Sequence, residues 1–234
     1  MAGPDLSAVA SLLADRSRAA MLDALMSGEE RAARTLAATA GVRASTASSH
    51  LQKLVDAGLI TAVRRGRERH FRLASSEVAD AMEALAVLAP AQPVNGLRDA
   101  NRREALRRAR TCYDHLAGAL GVAVAEGLVR DGSLRGPELH LTRRGEARMA
   151  DLGIDVADLR SARRPLTRAC LDGTERRPHL AGALGRALTE RFFDHHWVER
   201  IPETRAVRVT EKGRRDLLAL DWAGALFATR NSRH

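Results

Sequence analysis

Residues 44–74 read ASTASSHLQKLVDAGLITAVRRGRERHFRLA, and their pattern decides the fold of the amino-terminal third. Leu51, Leu54 and Val55 recur three and four positions apart over Thr46–Ala57, which predicts an amphipathic helix that Gly58 ends. Leu59-Ile60-Thr61-Ala62-Val63 then alternates into the basic turn Arg64-Arg65-Gly66-Arg67-Glu68. Arg69-His70-Phe71-Arg72-Leu73 returns with Phe71 and Leu73 on one face, so a β-hairpin is expected, with Gly66 where a tight turn needs positive φ. Upstream, Leu36 and Ala37 mark a helix near Glu29–Ala40 that Gly41 closes, and residues 6–26 supply two more amphipathic helices around the break Asp15-Arg16-Ser17-Arg18. Helix, short glycine turn, helix and then an arginine-tipped hairpin is the pattern of a DNA-reading helix-turn-helix followed by a wing.

On the second helix of that pair the side chains outside the Leu51/Leu54 face are Ser45, Thr46, Ser48, Ser49, His50, Gln52 and Lys53. Small hydroxyls let a helix sit deep in the major groove, Gln52 suits a bidentate pair with adenine, and His50 and Lys53 suit guanine or phosphate. Ser45 is also expected to be the N-cap. Arg64, Arg65, Arg67 and Arg69 on the hairpin are placed to reach phosphates or a minor groove.

With those elements in view, residues 14–74, ADRSRAAMLDALMSGEERAARTLAATAGVRASTASSHLQKLVDAGLITAVRRGRERHFRLA, resemble the winged helix-turn-helix of the ArsR family of bacterial repressors. The stretch 48–73 follows the family pattern position by position. The resemblance covers a quarter of the chain and implies a homodimer whose terminal helices pair, for which Leu6–Leu13 and Val78, Met82, Leu85 and Leu88 offer apolar faces. Two-fold symmetry then implies a pseudo-palindromic operator in double-stranded DNA. The metal sites familiar in that family do not carry over, because residues 44–57 hold no cysteine and Ser75–Leu88 holds no histidine. An input signal is expected elsewhere in the chain.

Composition agrees with a nucleic-acid partner. The 234 residues carry 38 Lys+Arg against 29 Asp+Glu, a net charge of +9; the pI near 11.0 points to a polyanion. Only Lys53 and Lys212 are lysines, so the positive charge is nearly all guanidinium, which suits phosphate and guanine contacts and is equally the product of an arginine-rich codon usage. Aromatics make up 3%, which argues against a single-strand binder built on stacking platforms. The start of the chain lacks a signal-peptide pattern and no long apolar run occurs, so a cytoplasmic protein without membrane contact is expected. Two cysteines are too few for a disulfide framework.

The second half repeats itself. HLAGALG occurs at His115–Gly121 and again at His179–Gly185, and LHLTRRGEARMADLG (139–153) is matched by VRVTEKGRRDLLAL (207–220). A period of about 64–68 residues is longer than a solenoid repeat and indicates two copies of one small α/β unit. Thr142 and Thr210 are expected N-caps. Residues 97–130 read as helical, and the glycines inside HLAGALG mark places where another backbone comes close, so the two HLAGALG helices are expected to pack on each other around a pseudo-two-fold axis. Phe192, Phe193, His195, His196 and Trp197 are expected to complete a core, and the arginines of 102–110, 160–168 and 214–215 to form solvated faces.

Cys112-Tyr113-Asp114-His115 would place Cys112 and His115 one turn apart on a helix, and Cys170 and Asp172 precede His179 by a short loop. If the copies pack as expected, Cys112, Asp114, His115, Cys170, Asp172 and His179 converge. Three readings stay open for them: small buried hydrophobes with hydrogen-bonded histidines, a zinc-type or other thiophilic metal site, or a thiol-redox or small-effector site.

The fold class expected is mainly α with small β-hairpins. It divides into a winged helix-turn-helix and dimerisation domain (1–90), a linker (91–97) and a sensor domain (98–234) of two helix-strand-helix, degenerate winged-helix-like units, about 98–160 and 166–230. The function expected is sequence-specific DNA binding by a dimeric repressor released by an effector, a metal or a thiol-redox signal. The alternative is an architectural DNA-coating protein without sequence choice. An enzyme is not expected: Cys112 with His115, or Cys170 with His179, is the sole nucleophile–base pairing, and neither a phosphate-binding glycine motif nor H-E-x-x-H occurs.

Overall fold

The computed structural model describes residues 3–90, 93–220 and 222–223. The chain forms two compact units, divided between Met82 and Glu83. That boundary falls inside a helix, not in the proline-containing segment after residue 90. Of the expected linker 91–97, residues 91 and 92 lie outside the described residues, as does the end of the second repeat beyond 223, and Leu97 already opens a helix.

The first unit begins with α1 (Leu6–Leu13) and α2 (Arg16–Leu25), separated where Asp15 caps α2 by accepting the Arg18 N–H at 2.9 Å. A two-residue strand β1 (Arg31–Ala32) precedes α3 (Ala33–Ala40), so the helix expected from Glu29 starts later. Arg31 and Ala32 are drawn instead into the sheet, opposite Phe71 and His70. Gly41, at φ +65°, ends α3, and α4 (Ala44–Asp56) follows. The cap position of α4 belongs to Arg43, so Ser45 lies inside the helix and is not its N-cap. The hairpin β2 (Ile60–Arg65) and β3 (Glu68–Leu73) pairs from Ile60↔Leu73 to Arg65↔Glu68. Its two-residue turn holds Gly66 at φ +59°. The sheet order β1-β3-β2 packs Ile60, Phe71 and Leu73 with Met21, Leu22, Leu25, Leu36, Leu51 and Leu54, all nearly or fully buried. Helix α5 (Ser76–Leu88) comes next and contains the division between the units.

The second unit is built twice. After α6 (Leu97–Arg108), a hairpin of β4 (Arg110–Cys112) and β5 (His115–Ala117) runs into α7 (Gly118–Arg130), then into the short pair β6 (Leu134–Arg135) and β7 (His140–Leu141) and α8 (Arg143–Asp151). After α9 (Val156–Ser161) the same order returns: β8 (Arg168–Leu171), β9 (Pro178–Ala181), α10 (Gly182–Asp194), β10 (Val198–Arg200), β11 (Val207–Val209) and α11 (Glu211–Leu218). Each copy is therefore hairpin, helix, hairpin, helix. The stretch 97–130 is not one helix, because a hairpin interrupts it at Arg110–Ala117. Thr142 and Thr210 cap α8 and α11 as expected, accepting the N–H of Gly145 at 3.1 Å and of Gly213 at 2.8 Å.

The copies pack crosswise. Helix α7 lies against β9 and α10 against β5, and β5 runs beside β9. The two HLAGALG helices thus seat on each other's strands, a correction to direct helix-on-helix packing that keeps its pseudo-two-fold character. Gly121 and Gly185 lie at this crossing: a Cβ on either would meet its own copy's Leu116 or Leu180 carbonyl oxygen at 2.3 Å and the other copy's histidine Cβ, His179 at 3.6 Å or His115 at 3.4 Å. Leu116, Leu120, Leu128, Leu180, Leu184 and Leu188 form the shared core. Phe192 and Trp197 close it edge to face at 5.2 Å, whereas His195 and His196 are exposed.

Candidate nucleic-acid interface and metal centre

Helix α4 buries Ala47, Leu51 and Leu54, and this fixes its opposite face outward. Ser45, Thr46, Ser48, Ser49, Gln52 and Lys53 are exposed there, with the Gln52 amide donating to Asp56 at 2.7 Å. His50 is different. It is half-buried, with Nδ1 3.3 Å from an Arg18 guanidinium nitrogen and Nε2 4.0 Å from Asp15, so it ties α4 to α2 and is not exposed with the other six. On the wing, Arg64, Arg65, Arg67 and Arg69 are all exposed. Arg65 is occupied by Glu30, at 2.8 and 3.1 Å, Arg64 donates to the Gly66 carbonyl at 3.2 Å, and Arg69 lies over the Phe71 ring at 5.3 Å. The Glu30 pair lowers the Glu30 carboxyl and raises the Arg65 guanidinium from their ordinary values.

In the second unit Cys112, His115, Cys170 and His179 come together, each offering one ligand atom within 4.8 Å of the others, and all are buried. Both cysteines are free thiols. The geometry that joins them is a hairpin, not a helix: Cys112 sits directly across from His115 in the β4–β5 pair, and Cys170 across from His179 in β8–β9. Cross-strand partners project to the same face of a ladder, so each hairpin presents one thiol and one imidazole. Tyr113, at φ +59°, makes the sharp turn that the two-residue connection of the first hairpin requires.

Asp114 and Asp172 do not join this group of four; each stands behind one imidazole. Asp114 Oδ1 is 3.2 Å from His115 Nδ1, and its carboxylate also takes a bidentate pair of hydrogen bonds from Arg164. Asp172 Oδ2 is 3.7 Å from His179 Nδ1, a buried nitrogen without a hydrogen-bond partner, and accepts the Gly118 N–H at 2.7 Å. Both histidines therefore direct Nε2 inward, and the two Nε2 atoms are 3.1 Å apart with the rings stacked. Burial works against the Asp114 charge, yet His115 and Arg164 hold its carboxyl down at about 2. Its hydrogen bond with Cys170, together with burial, pushes the Cys112 thiol up to about 12.

Two residues of this centre escape a reading from sequence. Arg110 lies among the arginines expected on a solvated face, but it is 1% exposed and spans Glu83 at 2.6 Å and Asp172 at 3.0 Å. Glu83, on α5, is equally buried; its other oxygen accepts from the Cys112 thiol at 3.6 Å and lies 3.7 Å from Arg205. Burial opposes the Glu83 charge, and Arg110 and Arg205 more than offset it, so the carboxyl is held below its ordinary value. A signal for Arg110 exists in the repeat: Arg-x-Cys precedes HLAGALG in both copies, at 110–112 and 168–170. No comparable signal marks Glu83.

Residues 13–63 match the family model described as a helix-turn-helix domain. The chain is 42% identical over 213 residues to the uncharacterized HTH-type transcriptional regulator YdfF of Bacillus subtilis (strain 168), an alignment covering 90% of this chain and 94% of that one. It is 32% identical over 143 residues to the HTH-type transcriptional regulator Rv0324 of Mycobacterium tuberculosis (strain ATCC 25618 / H37Rv), covering 50% of this chain and 63% of that one. Among solved structures, the homodimeric winged helix-turn-helix DNA-binding domain Mb0332 of Mycobacterium bovis, a possible ArsR-family transcriptional regulator, is 32% identical. It covers 38% of this chain and 89% of its own, with a TM-score of 0.33. No helix among the described residues is long and apolar enough to cross a membrane. With a relative matched along nearly its whole length and the winged helix in place, the chain belongs to the HTH-type transcriptional regulators and is a DNA-binding regulator.

Proposed function

We propose that the protein is a homodimeric, sequence-specific repressor that grips a pseudo-palindromic operator and is released by a signal received in its second unit. The observation that carries this reading is the outward face of α4, where hydroxyl and amide side chains of groove-reading size are exposed beside an arginine-bearing wing. Dimer formation is supported by α1, which buries none of its residues within the chain, and by exposed Leu85 and Leu88 on α5. For the signal to release DNA, its ligand must bind the DNA-free conformation more tightly, by about 1–3 kcal/mol for a 5–150-fold response.

Selection of bound sequences from a random double-stranded pool tests this. A two-fold motif is expected, and Gln52→Ala should relax preference at one base position in each half-site. Recovery of no motif, with binding set by salt alone, would replace a specific repressor with an architectural DNA-coating protein.

A further inference from the structure

We propose that Cys112, His115, Cys170 and His179 form a closed tetrahedral site for a zinc-class thiophilic divalent ion, and that this ion is the signal read by the second unit. The regulatory half of this statement rests on the repressor reading above; the binding half does not. Four ligand atoms already lie within 4.8 Å of one another. A tetrahedral ion bound at about 2.0–2.1 Å to nitrogen and 2.3 Å to sulfur spaces its ligand atoms by roughly 3.3–3.8 Å. The 3.1 Å between the two Nε2 atoms needs only a slight opening to admit such an ion.

The donors fit in kind as well as in place. Two thiols and two imidazoles are the set that selects zinc-like ions over calcium or magnesium, which prefer oxygen. On loading, each thiol loses its proton to solvent, two metal–sulfur and two metal–nitrogen bonds form, and nothing is oxidised or reduced. Two thiolate charges then cancel the charge of the ion, so a neutral centre is buried in the core. Metal-bound histidines usually donate their other ring nitrogen to a carboxylate, which fixes ring and tautomer. Asp114 and Asp172 occupy that position behind each ring, and the partnerless, fully buried Nδ1 of His179 is the atom that a small shift of this kind would satisfy. All four donors are buried and come from protein, so no ligand position is left for a substrate; the centre suits sensing or structure. Glu83 on α5 accepts a hydrogen bond from the Cys112 thiol at 3.6 Å, a bond that loading removes.

Cobalt(II) is the probe. The full chain, stripped with chelator under reducing conditions, should take up one cobalt per chain with the intense visible bands of a tetrahedral ion and a thiolate charge-transfer band, both abolished when zinc displaces it. Cys112→Ser with Cys170→Ser should remove both signals. Asp114→Asn should keep the stoichiometry and weaken affinity 10–100-fold. Operator DNA should be released on zinc loading of the wild-type chain. Sub-stoichiometric uptake, a weak octahedral spectrum in the wild type, or a spectrum that survives loss of both thiols would overturn the site; the wild-type spectrum decides even if the double variant fails to fold. A loaded chain that keeps its operator would overturn the signalling role. A chain that takes up cobalt in this way but selects no operator would uphold the site and sink the repressor reading.

Discussion

The Nε2 atoms of His115 and His179, 64 residues apart in sequence, lie 3.1 Å from each other at the crossing of the two C-terminal repeats. The reciprocity extends to the helices that flank them. A Cβ on Gly121 would lie 3.6 Å from the His179 Cβ, and one on Gly185 would lie 3.4 Å from the His115 Cβ, so each copy's helix is seated on the other copy's histidine. The same two positions press against a strand carbonyl with no room for a methyl group. Gly121→Ala and Gly185→Ala should therefore each cost roughly 1–3 kcal/mol of overpacking and lower the melting temperature of the second unit. Calorimetry on the full chain measures this, and an unchanged profile for either variant would contradict the tight seating of each helix on the carbonyl of its own copy's strand.

Arg110 holds Glu83 and Asp172 in one buried network, and removing it leaves Asp172 without its guanidinium partner and Glu83 with Arg205 alone, at 3.7 Å. Breaking a buried pair by taking away one partner typically costs about 3–5 kcal/mol. Arg110→Ala should shift the urea midpoint of the second unit by a corresponding amount. The same change at exposed Arg108, which pairs with Glu104, should stay within about 0.5 kcal/mol.

These two cases show what the sequence exposes and what it conceals. The winged helix was legible because its periodicity, glycine turns and alternating strands are local signals, each element declaring itself within a dozen residues. The repeat is legible as a repeat, since HLAGALG recurs unchanged, but each copy opens on a hairpin strand and not on a helix. Helix spacing and a hairpin both bring Cys112 near His115, and only the positive-φ turn at Tyr113, which no residue preference announces, chooses the hairpin. Burial of Arg110 was hidden among exposed arginines, because its partners Glu83 and Asp172 lie 27 and 62 positions away. His50 likewise carries the same residue-level credentials as its neighbours on α4, and only the tertiary contact with Arg18 sets it apart from the exposed side chains there.

Asp131 ends α7 and accepts the Ser133 N–H at 2.9 Å and an Arg148 guanidinium at 3.1 Å. Burial opposes its charge, but Ser133 and Arg148 together hold the carboxyl below its ordinary value. A carboxyl lowered on folding contributes stability that is complete above its unfolded pKa, about 4, and is lost as pH falls through the folded value. Asp131→Asn should therefore lower stability at neutral pH and flatten the acid limb of the stability curve. Parallel denaturation series from about pH 7 to pH 3 check the sign, and a variant as steep as the wild type would refute it.

On the wing, Glu30 neutralises Arg65, whereas Arg67 at the turn is exposed. Arg67→Ala should weaken binding to all duplex sequences and reduce the salt slope by about 1. Glu30→Gln should act in the opposite direction, freeing the Arg65 guanidinium for phosphate and tightening binding without altering sequence preference. Fluorescence titrations of one operator and one unrelated duplex across a salt series separate the two effects. A Glu30→Gln chain with weaker binding would show that the pair shapes the wing more than it restrains the charge.

Leu6 on α1 and Leu88 on α5 are 76% and 81% exposed and lie on the helices proposed above to pair between copies. If a second copy covers them, Leu6→Glu and Leu88→Glu each place a charge in an apolar interface and should shift the sedimenting species from dimer to monomer. Operator affinity should fall with it, since a monomer holds one half-site and loses the effective concentration that tethers the second. Both side chains are largely exposed within the chain, so near-identical circular dichroism is expected alongside the change in mass. A wild-type chain that sediments as a monomer at concentrations where it fills its operator would remove the dimer from the reading altogether.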